Sequence, residues 1–305
     1  MSDLDLSVIV LSFNTKDITN NCLVKLKQSV EYCQKRLGNK IEVIVIDNNS
    51  EDGSAQMILQ DHTWVKLIAL DENTGFSKGN NLGMQKAKYP IFLLLNSDVY
   101  VEEESLYKGL AYFRVNLNCD VLGCKLIFAS GKFQPSAGNL PNFFNTFFWI
   151  FGVSSLPAVK KFTNAFHPTY NSFFAKAHKV GWVTGAFFML KRKVFEGTSG
   201  FDENIFMYLE EVEWCKRIAK KGFKIWYVPQ FEVTHLHGAS SRLYPQRLYI
   251  SELKGIKYYF KKHYPNSFLL ARLILFLGTL FRTITFILLG KTVRARAYME
   301  GLSYV

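Results

Sequence analysis

The sequence predicts an α/β fold, a Rossmann-like and mostly parallel sheet with helices on both faces. Two observations predict it. Four apolar runs, LSVIVLSF at 6–13, IEVIVIDN at 41–48, VKLIAL at 65–70 and IFLLLNSD at 91–98, recur within the first hundred residues. They are close to continuously apolar rather than alternating, as strands covered on both faces require. Polar residues, Asn14, Asp47, Asp71 and Asp98, stand at the ends of these runs, and such sheets bind ligands beyond the carboxyl ends of their strands. Together the four ends outline one crevice.

Taken in order, the polar segment after the first run opens a helix that reaches about residue 36. SEDGSAQMILQDH then starts a second helix, with Ser50 as its cap and acidic residues in its first turn. GFSKGNNLGMQKA at 75–87 is a glycine-permitted turn and helix. Residues 121–134 read as a hairpin or strand pair, 182–195 as strand, 207–221 as a helix and FKIWYVP at 223–229 as a last strand. A helix over 243–262 joins this body, 1–242, to a hydrophobic appendage, so that 243–305 forms a separate helical segment. From Pro135 to about His178 the chain is aromatic, broken by prolines and without a clean period. A lid, an acceptor site, a membrane-facing surface or a homodimer contact would each account for it.

The net charge of +12 suits an anionic ligand, nucleic acid or an anionic membrane surface. Nucleic acid is excluded, because the aromatics lie in apolar runs without a positively charged stacking platform. Five cysteines without CxxC spacing exclude a metal cluster and read as a reduced, cytosolic chain. The first apolar run is too short, and too acidic before it, for a signal peptide. Residues 268–290, FLLARLILFLGTLFRTITFILLG, could just cross a bilayer, but contain two arginines. Each costs roughly 2.5–3.5 kcal/mol near the centre of a span. On a helical net Arg272, Thr279 and Thr283 form one stripe with Arg282 beside it, which suits a helix lying in the interface. Lys291, Arg294 and Arg296 would add attraction to anionic lipid, about 1 kcal/mol per charge. A buried helix or a dimer contact is the alternative.

Among chemical groups, Asn96-Ser97-Asp98 ends a strand, where a carboxylate can reach a divalent cation bridging a diphosphate. Asp47 can accept a hydrogen bond from a base or ribose. Asp71, Asn73, Gly75, Lys78, Gly79 and Asn80 make a polar loop entering a helix, where close backbone approach and the helix N-terminus favour an anion. No GxGxxG or GxxxxGK[ST] pattern is present, which argues against nicotinamide dinucleotides and Walker-type ATP use. In LEEVEW, helical spacing puts Glu210, Glu213 and Arg217 near one face and turns Glu211 away by roughly 100°. One carboxylate aimed into a crevice is what a general base needs. A solvated face paired to Lys216 and Arg217 is the plain alternative. His235 could complete a metal shell or touch a diphosphate, and His237 reads as a local hydrogen-bonding group.

In motif order, SVIVLSFN, VIDNNSEDGS, ENTGFSKGNNLG, LLLNSD, VTGAFFMLKRKVF, GFDENIFMYLEEVEWCKR and VTHLHGASS, the chain resembles the inverting glycosyltransferases of family 2, especially their bacterial rhamnosyltransferase-like branch. The likeness runs from residue 6 to about 242. It implies the GT-A (nucleotide-diphospho-sugar transferase) fold, with a nucleotide-binding half at 1–100 and an acceptor and catalytic half at 101–242. It implies that Ser12, Asn14, Asp47, Asp71, Asn73, Gly75, Lys78, Gly79, Asn80, Asn96 and Ser97 bind the nucleotide-sugar. Asn96-Ser97-Asp98 stands where the family has its DxD motif, so Asp98, with His235, is expected to hold Mg²⁺ or Mn²⁺. Thr184, Gly185, Ala186, Glu210 and Arg217 fall on the sugar and acceptor side. Most relatives carry Glu-Asp where this chain has Glu210-Glu211, which makes Glu211 the expected base, with Glu210 and Glu213 as alternatives.

The implied activity is transfer of a sugar, with L-rhamnose from dTDP-rhamnose the first expectation, to a lipid-linked or growing surface polysaccharide. UDP-hexose, UDP-galactofuranose and GDP-mannose donors are the alternatives, and a binding protein that has lost catalysis is a third reading. The implied place is the cytoplasmic face of the inner membrane, held peripherally or monotopically.

Overall fold

The computed structural model describes residues 4–156, 159, 163–236 and 245–305. His237 and Ser240 lie outside the described residues. The chain opens with β1 (Leu6–Ser12), α1 (Lys16–Leu37), β2 (Ile41–Asp47), α2 (Ser54–Asp61), β3 (Lys66–Ala69), α3 (Gly75–Lys86) and β4 (Ile91–Asn96). These are the four expected strands, each within a residue or two of the apolar runs, and their intervening helices; α2 starts only at Ser54 with Gly53 in the N-cap position, so Ser50 does not cap it and its first turn holds no acidic residue. Helix α1 ends at Gly38, whose left-handed backbone lets its N–H reach the Gln34 carbonyl at 2.8 Å.

A short β5 (Val99–Val101), α4 (Ser105–Val115), β6 (Val121–Ile127), β7 (Phe133–Gln134) and β8 (Ala137–Gly138) follow. The expected strand pair at 121–134 is the antiparallel pairing of β6 with β7. The aromatic segment holds α5 (Phe143–Ile150), capped by reciprocal hydrogen bonds between Asn142 and Asn145. Then come β9 (His178–Lys179), β10 (Trp182–Val183), β11 (Phe187–Lys191), α6 (Arg192–Thr198), α7 (Glu210–Lys220) and β12 (Ile225–His235). The chain closes with α8 (Pro245–His263), α9 (Phe268–Leu288) and α10 (Thr292–Gly301).

The main sheet has the order β3-β2-β1-β4-β11-β6-β12-β5. Its first four strands are parallel, whereas β11 runs antiparallel to both β4 and β6, and β5 runs antiparallel to β12. Alternate side chains feed two cores. Val8, Val10, Val43 and Val45 face a core that includes Leu23 and Leu26 of α1, while Ile9, Ile44, Ile46 and Leu94 join the one that holds Met84, Val212 and Ile256. Register then places the functional ends side by side. Ser12 pairs with Asp47, and Leu11 with Asn96.

Helix α9 is inverted relative to an ordinary surface helix. Its buried residues are Ala271, Leu275, Gly278, Thr279 and Thr283. Gly278 sits so close to Ile150 of α5 that a Cβ there would approach to 2.4 Å. Arg282 turns inward as well, donating to the Trp149 and Ile150 carbonyls and to the Tyr298 hydroxyl. Those bonds satisfy the α5 C-terminus, whose carbonyls lack helical partners. Of the expected stripe, Thr279, Thr283 and Arg282 face the protein, and Arg272 is exposed. Leucines, isoleucines and phenylalanines cover the outside, with Leu269 at 78% and Leu288 at 81% exposure. The segment Pro265–Leu288 is long and apolar enough to cross or associate with a membrane.

Candidate active site

At the carboxyl ends of β1 and β2 the first loops are tied together by hydrogen bonds. Asn14, itself left-handed at φ 50°, donates its N–H to Ser50 and accepts from the Glu51 N–H at 2.8 Å. Ser12 bonds Thr19 at 3.0 Å, and Thr15 bonds Ser97 at 3.2 Å. Asp47, 2% exposed, accepts from the Ser50 N–H through one oxygen. Its other oxygen is buried without a partner among the described residues. A buried orphan acceptor has a high desolvation cost, which a donor from outside the chain would offset.

Residues 71–80 divide. Asp71, on the loop before α3, and Lys78, in the first turn of α3, are exposed, with Lys78 3.8 Å from Glu72. Asn73 braces the turn, accepting from Asn48 Nδ2 at 2.8 Å and the Gly75 N–H at 3.0 Å. Gly79 faces β1, where a Cβ would meet Leu11 at 2.6 Å, and the Asn80 amide caps the Phe76 carbonyl of its own helix. These two pack α3 onto the sheet. Gly75, left-handed at φ 81°, lies against Phe206.

Strand β4 delivers Asn96-Ser97-Asp98 beside β11, where the Asn96 N–H donates to the Ala186 carbonyl at 3.1 Å. Thr184-Gly185-Ala186 therefore lies directly against the acidic motif, and Gly185 touches Phe76. The pairing of β12 with β5 sets His235 opposite Val99. This brings His235 Nε2 to 3.3 Å from Asp98 Oδ1. Nδ1 of the same ring is 3.1 Å from the Gln134 amide nitrogen, and Gln134 Oε1 is buried without a partner among the described residues.

Turning that amide over would let Oε1 accept the Nδ1 proton and would put the Nε2 lone pair on the Asp98 side. A carboxylate and an imidazole so disposed are of the donor types that could serve as two ligands of one divalent cation. Among the described residues no group of three His, Cys, Asp or Glu side chains forms a complete protein cage.

Helix α7 opens with the three carboxylates, and their environments separate them. Glu213, fully buried, bonds Arg217 Nε at 3.0 Å, Lys262 at 2.7 Å and His263 at 3.1 Å. Burial alone would raise its pKa, but His263, Arg217 and Lys262 outweigh it and hold the carboxyl down at about 2. Arg217 also donates to the carbonyls of Thr198 and Gly200. Its guanidinium and Glu213 lock α7 to α8 and to the end of α6. An anion so firmly held is a poor proton acceptor.

Glu210 and Glu211 each have one oxygen buried without a partner among the described residues. Burial drives Glu210 well above the usual carboxylate range, reinforced by the charge of Glu211. Glu211 is partly buried. Desolvation raises it to about 7, its own backbone N–H and His167 pull it down, and Glu252 pushes it up. A carboxylate poised near neutrality is matched to general-base work. The turn that presents the pair is strained, because Tyr208 and Leu209 are successive non-glycine residues at φ 72° and 71°. Each such residue costs on the order of 1–3 kcal/mol, and strain of this kind clusters at functional sites.

Sequence reasoning passed over Gln134, His167 and Glu252. The last two are joined at 3.0 Å from elements 85 residues apart, and no local spacing announces such a pair.

The sheet is a mixed α/β one, with an orphan carboxylate oxygen at Asp47, Asp98 beside His235 at the end of β4, and two glutamates with buried unpartnered oxygens at the start of α7. Residues 7–198, well over half of the chain, match the family described as Glycosyl transferase family 2. The chain belongs to that family and is a glycosyltransferase. It is 27% identical over 214 residues to the N-acetylglucosaminyl-diphospho-decaprenol L-rhamnosyltransferase of Mycobacterium tuberculosis, covering 66% of this chain and 68% of that one. It is 22% identical over 263 residues to the rhamnosyltransferase WbbL of Escherichia coli K12, covering 81% and 89%. Among solved structures it resembles the mannosyltransferase PcManGT of Pyrobaculum calidifontis, in complex with GDP-Man and Mn²⁺. That likeness has a TM-score of 0.56 at 14% identity, covers 98% and 74% of the two chains, and supports the GT-A-like fold.

Proposed function

We propose that this glycosyltransferase moves a sugar from a nucleoside-diphosphate donor to a saccharide carried on a lipid, with inversion at the anomeric carbon, at an anionic membrane surface. The observation that carries the reading is the separation of the three α7 carboxylates: Glu213 is clamped by Arg217, Lys262 and His263, while Glu210 and Glu211 each keep a buried oxygen without a partner among the described residues. Asp47 accepts from the donor's base, and the loop around Asp71 and Lys78 borders the diphosphate. Asp98 and His235 would hold Mg²⁺ or Mn²⁺, which supplies positive charge to the leaving diphosphate. Glu211 takes the proton of the acceptor hydroxyl as that oxygen attacks from the face opposite the diphosphate. A single displacement needs no enzyme nucleophile, and so inverts. Glu210, whose carboxyl burial raises well above the usual range, is placed beside Glu211 to contact the sugar or acceptor when protonated, and Thr184 can donate from the β4 side.

The donor is stated at the level of nucleoside-diphosphate sugar. Two relatives named as rhamnosyltransferases support L-rhamnose, and a neighbour in fold holds GDP-mannose. The outward apolar face of α9 and the exposed Arg272, Lys291, Arg294 and Arg296 support contact with lipid. A panel of dTDP-rhamnose, UDP-hexoses, UDP-galactofuranose and GDP-mannose, incubated with the protein and Mg²⁺ or Mn²⁺, tests the reading through nucleoside diphosphate release. Selective, cation-dependent release from one donor is expected. Retention of every donor intact, with lipid extract present as acceptor, would count against it.

A further inference from the structure

Helix α5 of the aromatic segment turns two phenylalanines outward, Phe144 at 60% exposure and Phe147 at 42%. Their rings are not isolated. Between centroids, Phe144 lies 4.3 Å from Phe148, Phe148 5.8 Å from Phe147, Phe147 4.6 Å from Phe151, and Phe151 5.4 Å from Phe281 of α9. A ribbon of rings thus runs from α5 onto the outer face of α9. There Phe281 shares a helical stripe with Leu273, Leu277 and Ile284, each about half exposed. A contiguous apolar face of this kind marks a contact surface.

Both ends of α9 are fastened to the body. Its start continues from α8, and α10 folds back onto α8 after it. Lys257 donates to the Tyr304 carbonyl at 2.7 Å, Lys254 lies 3.7 Å over the Tyr304 ring, and a Cβ on Gly301 would stand 2.6 Å from Leu253. Between the two ends Arg282 holds the carbonyls at the end of α5. A helix tied at both ends and along its inner side cannot cross a bilayer without giving up these contacts, whereas it can lie in one leaflet. Charge selects what covers the outer side. The stretches that build the surface, 121–195 and 253–299, contain no aspartate or glutamate. From Phe268 to Met299 the exposed charges are Arg272, Lys291, Arg294 and Arg296. A second copy docked through the same face would bring these cations toward their own mates, while anionic lipid headgroups would neutralise them.

We propose that α5 and α9 together form one monotopic membrane face, which lies in an anionic leaflet with Phe144 and Phe147 inserted beside the leucines of α9. This rests on the lipid contact proposed above and goes beyond it in two respects: α5, outside the appendage, enters the lipid, and α9 does not cross it. Two helices from distant parts of the chain then fix how the body sits on the surface.

Co-sedimentation of the full-length protein with vesicles of phosphatidylglycerol and phosphatidylethanolamine tests the face. Phe144→Glu with Phe147→Glu is expected to lower the partition coefficient about 10- to 100-fold, with the circular dichroism spectrum and the oligomeric state in solution unchanged. A second variant reads the same contact without adding charge to α5. The five native cysteines are buried, so Phe144→Cys can carry an environment-sensitive fluorophore, whose emission is expected to shift to the blue when these vesicles are added. Ser303→Cys, exposed after α10, is expected to resist a membrane-impermeant maleimide in intact spheroplasts that express the chain, and to react after lysis. Undiminished binding by the double variant together with an unshifted fluorophore would overturn the proposal. Labelling at position 303 in intact spheroplasts would also overturn it, because α9 would then span. So would a change from dimer to monomer in the double variant with vesicle binding retained, because a second copy would then cover the face. If the wild-type protein does not bind the vesicles, the membrane reading fails and takes the inference with it. If the wild type binds and neither α5 variant responds, the inference alone fails.

Discussion

Replacing Glu211 by glutamine keeps the shape of the side chain and removes its ability to accept a proton, so activity and stability should move in opposite directions. Loss of a general base slows transfer by about 10²–10⁴-fold, or roughly 3–5 kcal/mol of barrier. Stability follows from the carboxyl being raised from its usual 4.5 to about 7 by burial. An acid raised in the folded state favours folding below the unfolded value and loses that advantage as pH climbs through the folded one. Between about pH 4.5 and 7 the wild-type protein is therefore progressively penalised, and above pH 7 the penalty is complete. Its upper bound is about 3 kcal/mol, and sharing with Glu210 reduces the expected gain in Glu211→Gln to about 1–3 kcal/mol. Nucleotide release and thermal unfolding, each at about pH 8, read the two effects. Unfolding near pH 4.5 should show almost no difference between the proteins. Near-normal turnover in Glu211→Gln, or a lower Tm at pH 8, would refute the reasoning.

The other charged and apolar features give parallel expectations. Glu213→Gln leaves Arg217, Lys262 and His263 without their shared buried anion, and denaturant unfolding should show a loss of about 3–5 kcal/mol. Because Glu213 is held at about 2, that contribution is present at neutral pH and disappears only as pH falls toward 2. Asp98→Asn should remove the stimulation of nucleotide release by Mg²⁺ or Mn²⁺ while leaving the unfolding midpoint within about 0.5 kcal/mol of wild type. Leu273→Glu with Leu277→Glu, on the exposed face of α9, should abolish co-sedimentation with anionic vesicles and leave the circular dichroism spectrum unchanged.

The first hundred residues were legible because most of their strands are buried on both faces and so appear as unbroken apolar runs with polar ends. Register then did what the runs implied, setting Ser12 against Asp47 and Leu11 against Asn96. Helix α5 was hidden because FFNTFFWI is apolar on every side and offers no period; its signal is the Asn142–Asn145 cap. The sequence marked Glu210, Glu211 and Glu213 as a group, yet what separates them is tertiary. Lys262 and His263 arrive from α8 some fifty residues later, and His167 from the opposite direction. Helical spacing did put Glu213 and Arg217 on one face, as their 2.8 Å ion pair shows. On α9 the net grouped Arg272, Thr279 and Thr283 in one stripe with Arg282 beside it; Thr279, Thr283 and Arg282 face the protein, but Arg272 is exposed. Only packing against α5 and α10 shows that these three do so and leaves the leucines outside.

The most direct single measurement is transfer itself: the selected nucleoside-diphosphate sugar, labelled in the sugar, incubated with the enzyme and membrane lipid extract. The product's anomeric configuration is then read by NMR. The account predicts label in the lipid fraction in the configuration opposite to that of the donor, with one nucleoside diphosphate released per sugar moved. A product that retains the donor's configuration would contradict it, because retention cannot come from a single displacement in which Glu211 only takes a proton.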